Sequence, residues 1–150
     1  MQFYQVNSRC QSGFTLFELM IAIAIIAILS AIGVPTYQGY IQKAALTDML
    51  QMMSPYKTAV ELCAFEQASL SGCNNGYKSI PTSRHSQYVE QITVKDGIIT
   101  LTGRQTLLGL TASIIPTVEP LSGQINWQRS CSSSSDNSSL VEACHDLLRF

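Results

Sequence analysis

A single carboxylate stands at the front of a long apolar run. Glu18 precedes Leu19–Leu29, in which every residue is apolar, and no further charged residue occurs before Lys43. A charged side chain at the centre of a bilayer costs about 2.5 kcal/mol or more, so it usually has a partner or a function. The chemistry that Glu18 offers is therefore the pairing of opposite charges in a dry environment.

Cysteine side chains offer a second kind of chemistry. The chain has five of them, Cys10, Cys63, Cys73, Cys131 and Cys144. Cys10 precedes the apolar run together with Arg9, which the positive-inside rule places in the cytoplasm. The other four follow the run, on the side where thiols oxidise. Their spacings lack the short intervals that are typical of zinc ligands. We therefore expect two disulfides and no metal site.

The sequence gives little support for catalysis. His145 and Asp146 follow a run of serines, and these residue types occur together in hydrolytic triads. However, His85 is far away in the sequence, and neither histidine belongs to an H-x-x-x-H pair or follows a nucleophile-elbow pattern. We therefore expect no enzyme activity and no cofactor.

Charge is sparse and nearly balanced. Charged residues make up 13% of the chain and the formal net charge is −1. The basic residues after the apolar run are dispersed rather than clustered on one segment. A strong electrostatic attraction to nucleic acid is not expected from this distribution.

A long helix must position Glu18. The uncharged segment that follows it can cross a bilayer as a helix, since about 20 residues suffice. Beyond Pro35, apolar residues recur every three or four positions from Tyr37 to Cys63, which predicts an amphipathic helix. Together the two stretches make a helix of about 50 residues, or ~75 Å. Such a helix cannot bury itself in one small domain, so its first half requires lipid or neighbouring subunits.

Two prolines interrupt this helical pattern. Pro35 removes the hydrogen bond to the carbonyl of Ala31 and, with Gly33 close by, weakens the helix. Alternatively, one helix ends and another begins at Pro35. Pro55 is expected to bend the helix again.

The rest of the chain has the alternating pattern of strands. Residues 64–87 are rich in turn formers and predict a long connection. YVEQITV and IITLTG flank residues 95–97, which predicts a β-hairpin, and LTASIIPTV and INWQRS supply two further strands. Pro116 indicates that the third strand ends or lies at an edge there. Trp127 is a candidate core residue or an exposed contact. Residues 131–150 are predicted to form a Ser-rich loop.

The N-terminus allows an ordinary secretory signal as one interpretation. Arg9 would supply its positive region, the apolar run its core, and Ala31-Ile32-Gly33 a small-residue cleavage site. Two features count against this interpretation. Glu18 would lie inside the hydrophobic core, and the helical pattern continues past the cleavage site.

Residues 13–20, GFTLFELM, followed by an apolar helix and Pro35, resemble the class III signal of type IV pilins. Phe17 departs from the usual Ile or Leu, and Arg9 is set back from the glycine. Later segments, among them KAALTDMLQ, PYKTAVELCA, NWQRSC and LLRF, are similar to the enterobacterial prepilin-peptidase-dependent major pilins of the type IVa class.

The resemblance implies roles for individual residues. In that family a prepilin peptidase cuts after the glycine and methylates the new N-terminal phenylalanine, which assigns processing to Gly13 and Phe14. Glu18 becomes the fifth mature residue and is expected to pair with the Phe14 amine of a neighbouring subunit, setting the register of assembly. Gly33 and Pro35 are expected to let the helix unwind locally in the fibre.

The resemblance also implies an architecture. We expect an α+β fold in which the long N-terminal helix packs on about four antiparallel strands, with a disulfide-bounded C-terminal loop. Residues 1–13 form a cleaved leader, 14–40 the membrane and assembly helix, and 41–150 the globular domain. Four cysteines allow three pairings. Sequence proximity and the resemblance favour Cys63–Cys73 and Cys131–Cys144.

The function that the resemblance implies is that of a structural major subunit, which polymerises into a helical surface filament for adhesion, motility or DNA uptake. The expected partners are other copies of the chain, prepilin peptidase, an inner-membrane platform protein with its assembly ATPase, minor pilins, an outer-membrane secretin and, before assembly, the lipid bilayer. The precursor is expected in the inner membrane with its globular domain in the periplasm, and the mature chain in extracellular pili. The alternatives are a type II secretion pseudopilin or a minor pilin.

Overall fold

The computed structural model describes residues 13–135 and 137–148. It has the helix α1 (Leu16–Gln67), the strands β1 (Val89–Lys95), β2 (Ile98–Gly103), β3 (Leu110–Val118) and β4 (Ile125–Ser133), and the helix α2 (Ser138–Leu147). The four strands form one antiparallel sheet in the order β1-β2-β3-β4. The predicted α+β class, with one long N-terminal helix and a four-stranded sheet, is confirmed.

Helix α1 is continuous through its prolines. Pro35 and Pro55 both lie inside the helical residues Leu16–Gln67, so Pro35 does not start a second helix. Next to Pro35, the hydroxyl of Thr36 donates to the carbonyl of Ile32 at 3.0 Å. Ser and Thr side chains commonly bond to the carbonyl four residues before them in this way. The local unwinding in a fibre that the sequence suggests remains a prediction.

The described chain forms two units that divide between Gln38 and Gly39. In the first unit every described residue is exposed. By length and composition α1 could cross a membrane, and none of its most apolar 18-residue window is buried. The second unit, from Gly39 onward, is called the head below. In the head, nine α1 residues are buried, namely Ala45, Leu46, Met49, Met53, Tyr56, Ala59, Val60, Cys63 and Ala64.

The strands of the head present alternate residues to the core. The β1–β2 hairpin turns at Asp96 and Gly97, whose φ angles are +47° and +80°. β3 continues past Pro116 to Val118, whereas its pairing with β2 stops at Ile114. In this last segment β3 has only β4 beside it, so the missing N–H of Pro116 leaves no β2 carbonyl unpaired.

Trp127 joins the sheet to the helix. It is half-buried in β4, and its indole Nε1 donates to Glu61 Oε1 on α1 at 2.8 Å. Tyr56 makes a second link, because its hydroxyl donates to the carbonyl of Thr82 at 2.6 Å. Burial raises the pKa of Tyr56 above its usual value. The aromatic residues of the core therefore also fix the positions of the surrounding segments.

The connection between α1 and β1 covers the outer edge of β1. The Asn75 amide N donates to the carbonyl of Val94 at 3.1 Å, and its side-chain oxygen accepts from the Val94 amide. The side-chain nitrogen of Asn75 donates to the carbonyl of Pro81 at 3.1 Å. A disulfide between Cys63 and Cys73 closes the start of this connection. An edge that would otherwise recruit another strand is thereby blocked.

Replacing Asn75 with aspartate is expected to lower the free energy of unfolding by about 1–3 kcal/mol, because a carboxylate then faces the Pro81 carbonyl without a donor between them. Asn74→Asp is the matched control. Asn74 contributes an acceptor to the amide of Asp96 at 2.8 Å, and aspartate also supplies that acceptor. Urea unfolding of both variants tests the prediction. Equal losses from the two changes would contradict it.

The C-terminal segment differs from the predicted loop. It contains the ten-residue helix α2, whose N-cap Asn137 accepts from the amide of Leu140 at 3.2 Å. Asparagine is among the preferred N-cap residues, since its side chain satisfies an amide of the first turn. A disulfide between Cys131 and Cys144 joins β4 to α2. Most serines of the Ser-rich stretch therefore belong to β4 or α2 rather than to a loop.

Candidate functional site

Thr15 and Glu18 form a reciprocal hydrogen-bonded pair at the start of α1. The amide and the hydroxyl of Thr15 each donate to Glu18 Oε2 at 3.0 Å. In return, the Glu18 amide donates to Thr15 Oγ1 at 3.2 Å. This is a capping box, in which two side chains satisfy amides that the first turn leaves without partners. It fixes Glu18 at the first turn of the helix.

The role of Thr15 was missed in the sequence reasoning, although its signal is present there. Thr-x-x-Glu before an apolar run is the usual sequence of a capping box. Gly13 and Phe14 precede the helix, and Phe14 is 90% exposed. The structure therefore places the predicted cleavage position outside α1, two residues before its first helical residue.

The electrostatic environment of Glu18 has two notable features. Its carboxylate lies at the N-terminal end of α1, where the helix dipole favours negative charge. It is also the only acidic or basic side chain between residues 13 and 42. The first unit therefore presents one fixed anionic group and a long exposed apolar surface.

Gly33 and Pro35 lie within this exposed part of the helix. A Cβ atom built on Gly33 meets no atom within 4 Å, and the same is true of Gly39. The glycines are therefore not required by packing within one chain. Their role in weakening the helix remains a prediction.

The residues that the sequence offers for catalysis lie near the C-terminal end of the head. His145 and Asp146 lie beside Glu142, Ser133 and Ser138 at a surface hollow of about 450 Å³. Within residues 13–135 and 137–148, no three His, Cys, Asp or Glu side chains are placed to hold a metal ion. The expectation that the chain is not an enzyme remains a prediction.

Comparison with known proteins decides the family. The family model described as the prokaryotic N-terminal methylation motif matches residues 8–34. The chain is 50% identical to prepilin peptidase-dependent protein D of Escherichia coli K12 over 140 residues, which cover 93% of this chain and 95% of that protein. The chain belongs to the type IV pilin family. This pilin is also 31% identical to fimbrial protein EcpC of Eikenella corrodens, over 92% of its own length and 93% of that protein.

A solved structure supports the same assignment. The solution NMR structure of the major type IV pilin PpdD from enterohemorrhagic Escherichia coli superposes on this pilin with a TM-score of 0.64 and 44% sequence identity. The match covers 74% of this pilin and 83% of that chain. Two of these relatives are thus described as a fimbrial protein and as a major type IV pilin.

Proposed function

We propose that this pilin is the structural major subunit of a type IV pilus and polymerises into a helical surface filament. The observation that carries the proposal is the first unit, in which one carboxylate accompanies an apolar helical surface that the chain itself leaves exposed. The identity with a relative across nearly the whole chain supports it, as does the likeness to a pilin described as major.

The mechanism follows from the exposed helix. Before assembly, lipid covers the apolar half of α1, with the precursor in the inner membrane and its head in the periplasm. In the filament, apolar helices of neighbouring subunits cover one another instead. Because lipid is as apolar as the bundle, this exchange gives little hydrophobic gain and extraction requires work. A cytoplasmic assembly ATPase, acting through the platform protein, supplies that work.

Glu18 selects the docking position in this mechanism. Cleavage after Gly13 creates a positive amine at Phe14, and the incoming subunit places that amine beside Glu18 of a docked subunit. In a dry bundle an unpaired charge is penalised far more than in water, so positions that leave either group alone are rejected. The capping box with Thr15 keeps the carboxylate ordered at the helix start.

The expected mature N-terminus is N-methylated Phe14. The Gly13–Phe14 bond lies outside the helix, so helical hydrogen bonds do not protect it from a peptidase. Intact-mass measurement of the purified protein tests this expectation. A chain that begins at Val34 would instead indicate an ordinary secretory signal.

The major-subunit proposal is tested by shearing surface filaments from cells in which this pilin is the only one produced at high level. We expect it to be the dominant protein of the sheared fraction, with its N-terminus at Phe14. A trace amount in filaments built from another pilin would identify a minor pilin. Absence from the surface, together with a requirement for protein secretion, would identify a pseudopilin.

A further inference from the structure

An apolar groove lies in the head between the end of α1 and the β3–β4 hairpin. Its volume is about 490 Å³, and its walls include Ala64, Phe65, Val118 and Ile125. Phe65 is 87% exposed, and Leu121, in the turn between β3 and β4, is 98% exposed. An apolar groove with an exposed aromatic side chain in its wall often marks a contact with another molecule.

Three carboxylates lie in the segments around the groove, and two of them already have partners. The Glu61 carboxylate accepts from the Trp127 indole at 2.8 Å. Glu66 pairs with Lys78 at 2.8 Å, which raises the pKa of Lys78. Glu119 is exposed, directly follows the wall residue Val118, and its carbonyl accepts from the amide of the wall residue Gly123 at 2.9 Å. Glu119 therefore adds a negative charge at the edge of the groove, and an occupant that suits the groove carries an apolar side chain with a positive charge close to it.

The connection between β2 and β3 carries such a pair of side chains. Leu108 is 68% exposed, and Arg104, four residues before it in the same tight turn, is also exposed. The turn is held by the Leu107 amide, which donates to the Arg104 carbonyl at 3.1 Å, and by the Leu108 amide, which donates to the Gln105 carbonyl at 3.1 Å. The turn therefore presents a leucine and a guanidinium together on a short, hydrogen-bonded loop.

The groove and this turn lie at opposite ends of the same strand. β3 begins at Leu110, next to the turn, and ends at Val118, in the groove wall. Its nine residues span roughly 26 Å at about 3.3 Å per step. A surface and its complement at opposite ends of one body form a head-to-tail contact, which repeats without closing and generates a filament.

We propose that Leu108 and Arg104 of one head dock into the Phe65–Val118 groove of another copy of this chain, with Arg104 facing Glu119. The inference rests on the proposed function and names a contact between heads in that filament. Each subunit then donates its turn to one neighbour and accepts the turn of another.

Cysteine trapping in sheared filaments tests this contact. In the Leu108→Cys/Val118→Cys double variant, oxidation is expected to give a ladder of linked subunits, because every copy carries one cysteine on the turn and one in the groove wall. Filaments of either single variant should stay monomeric on a denaturing gel, and mixed filaments of the two single variants should stop at dimers. Leu108→Cys/Thr93→Cys, with its second cysteine on the exposed face of β1, is the matched control and should give no ladder.

The outcomes separate this inference from the proposed function. Filaments that form normally but give no ladder overturn the head contact and leave the major-subunit role intact. A link from Val118→Cys to a different protein also overturns it. If the unsubstituted chain forms no filaments, the proposed function itself is contradicted.

A charge exchange provides an independent test. Arg104→Glu is expected to lower filament yield by about fivefold, since like charges then meet at the groove rim. Adding Glu119→Arg should restore most of that yield, because the pair is re-formed with its signs exchanged. Lys95→Glu changes the net charge equally at another exposed position and should leave the yield unchanged. A double variant no better than Arg104→Glu overturns the proposed pairing.

Discussion

Replacing Glu18 with alanine is expected to reduce surface filaments at least a hundredfold while the protein is still cleaved and inserted in the membrane. Removing one partner of a buried ion pair typically costs about 3–5 kcal/mol, because the other charge remains buried without compensation. Here that charge is the Phe14 amine of the incoming subunit. Filament yield after shearing, measured beside the amount of cleaved pilin in the membrane, tests the expectation.

Glu18→Gln distinguishes the charge from the capping box. Glutamine at this position can still accept from the amide and hydroxyl of Thr15, so the start of α1 is retained. It cannot neutralise the Phe14 amine. We therefore expect the glutamine variant to fail in assembly as the alanine variant does. Normal filaments from Glu18→Gln would show that capping, rather than charge, is the role of this residue.

The alanine variant must be tested in cells that make no other pilin. Otherwise a subunit with an intact carboxylate could form the filament and carry the variant within it. Wild-type yield from Glu18→Ala under this condition would contradict the proposed register mechanism.

Much of the architecture could be predicted because strong periodic patterns encode it. The apolar stripe of α1 repeats every three or four residues, and the strands alternate around a turn with Gly97. Helix α2 was missed because its ten residues follow a serine run, and serine favours loops as much as caps. Its clearest local signal is Asn137, three residues before Leu140. A single N-cap residue does not by itself establish the start of a helix.

The groove could not be predicted, for a different physical reason. Its walls come from the end of α1 and from both strands of a hairpin more than fifty residues later. Which of those residues meet depends on strand register and on how the helix lies over the sheet. Glu61 and Trp127 illustrate this, since their hydrogen bond joins residues 66 positions apart. Local sequence patterns carry no information about such pairs.

Gly103→Ala is expected to cause a large loss of stability in the head. A Cβ atom at this position would overlap the Leu107 carbonyl oxygen and would lie 2.7 Å from the Leu107 Cβ. Leu107 is fully buried, so it cannot move away without disturbing the core. Overpacking against a backbone atom is expected to cost about 3 kcal/mol or more. Thermal unfolding of the full pilin in detergent should show a fall in Tm of about 10 °C or more.

Gly39→Ala is the matched control for this change, because a Cβ atom there meets nothing within 4 Å and the residue lies in an exposed helix. It should be neutral or slightly stabilising, since alanine favours helix over glycine by about 1 kcal/mol. A loss of ~1 kcal/mol lowers the Tm of a domain of this size by several degrees. A Gly103→Ala protein that melts within about 2 °C of the unsubstituted pilin would therefore contradict the close approach of Leu107.

The close contact between Gly103 and Leu107 also holds the turn that bears Arg104 and Leu108 against β2. Gly103→Ala should therefore reduce filament yield even at temperatures where the head remains folded.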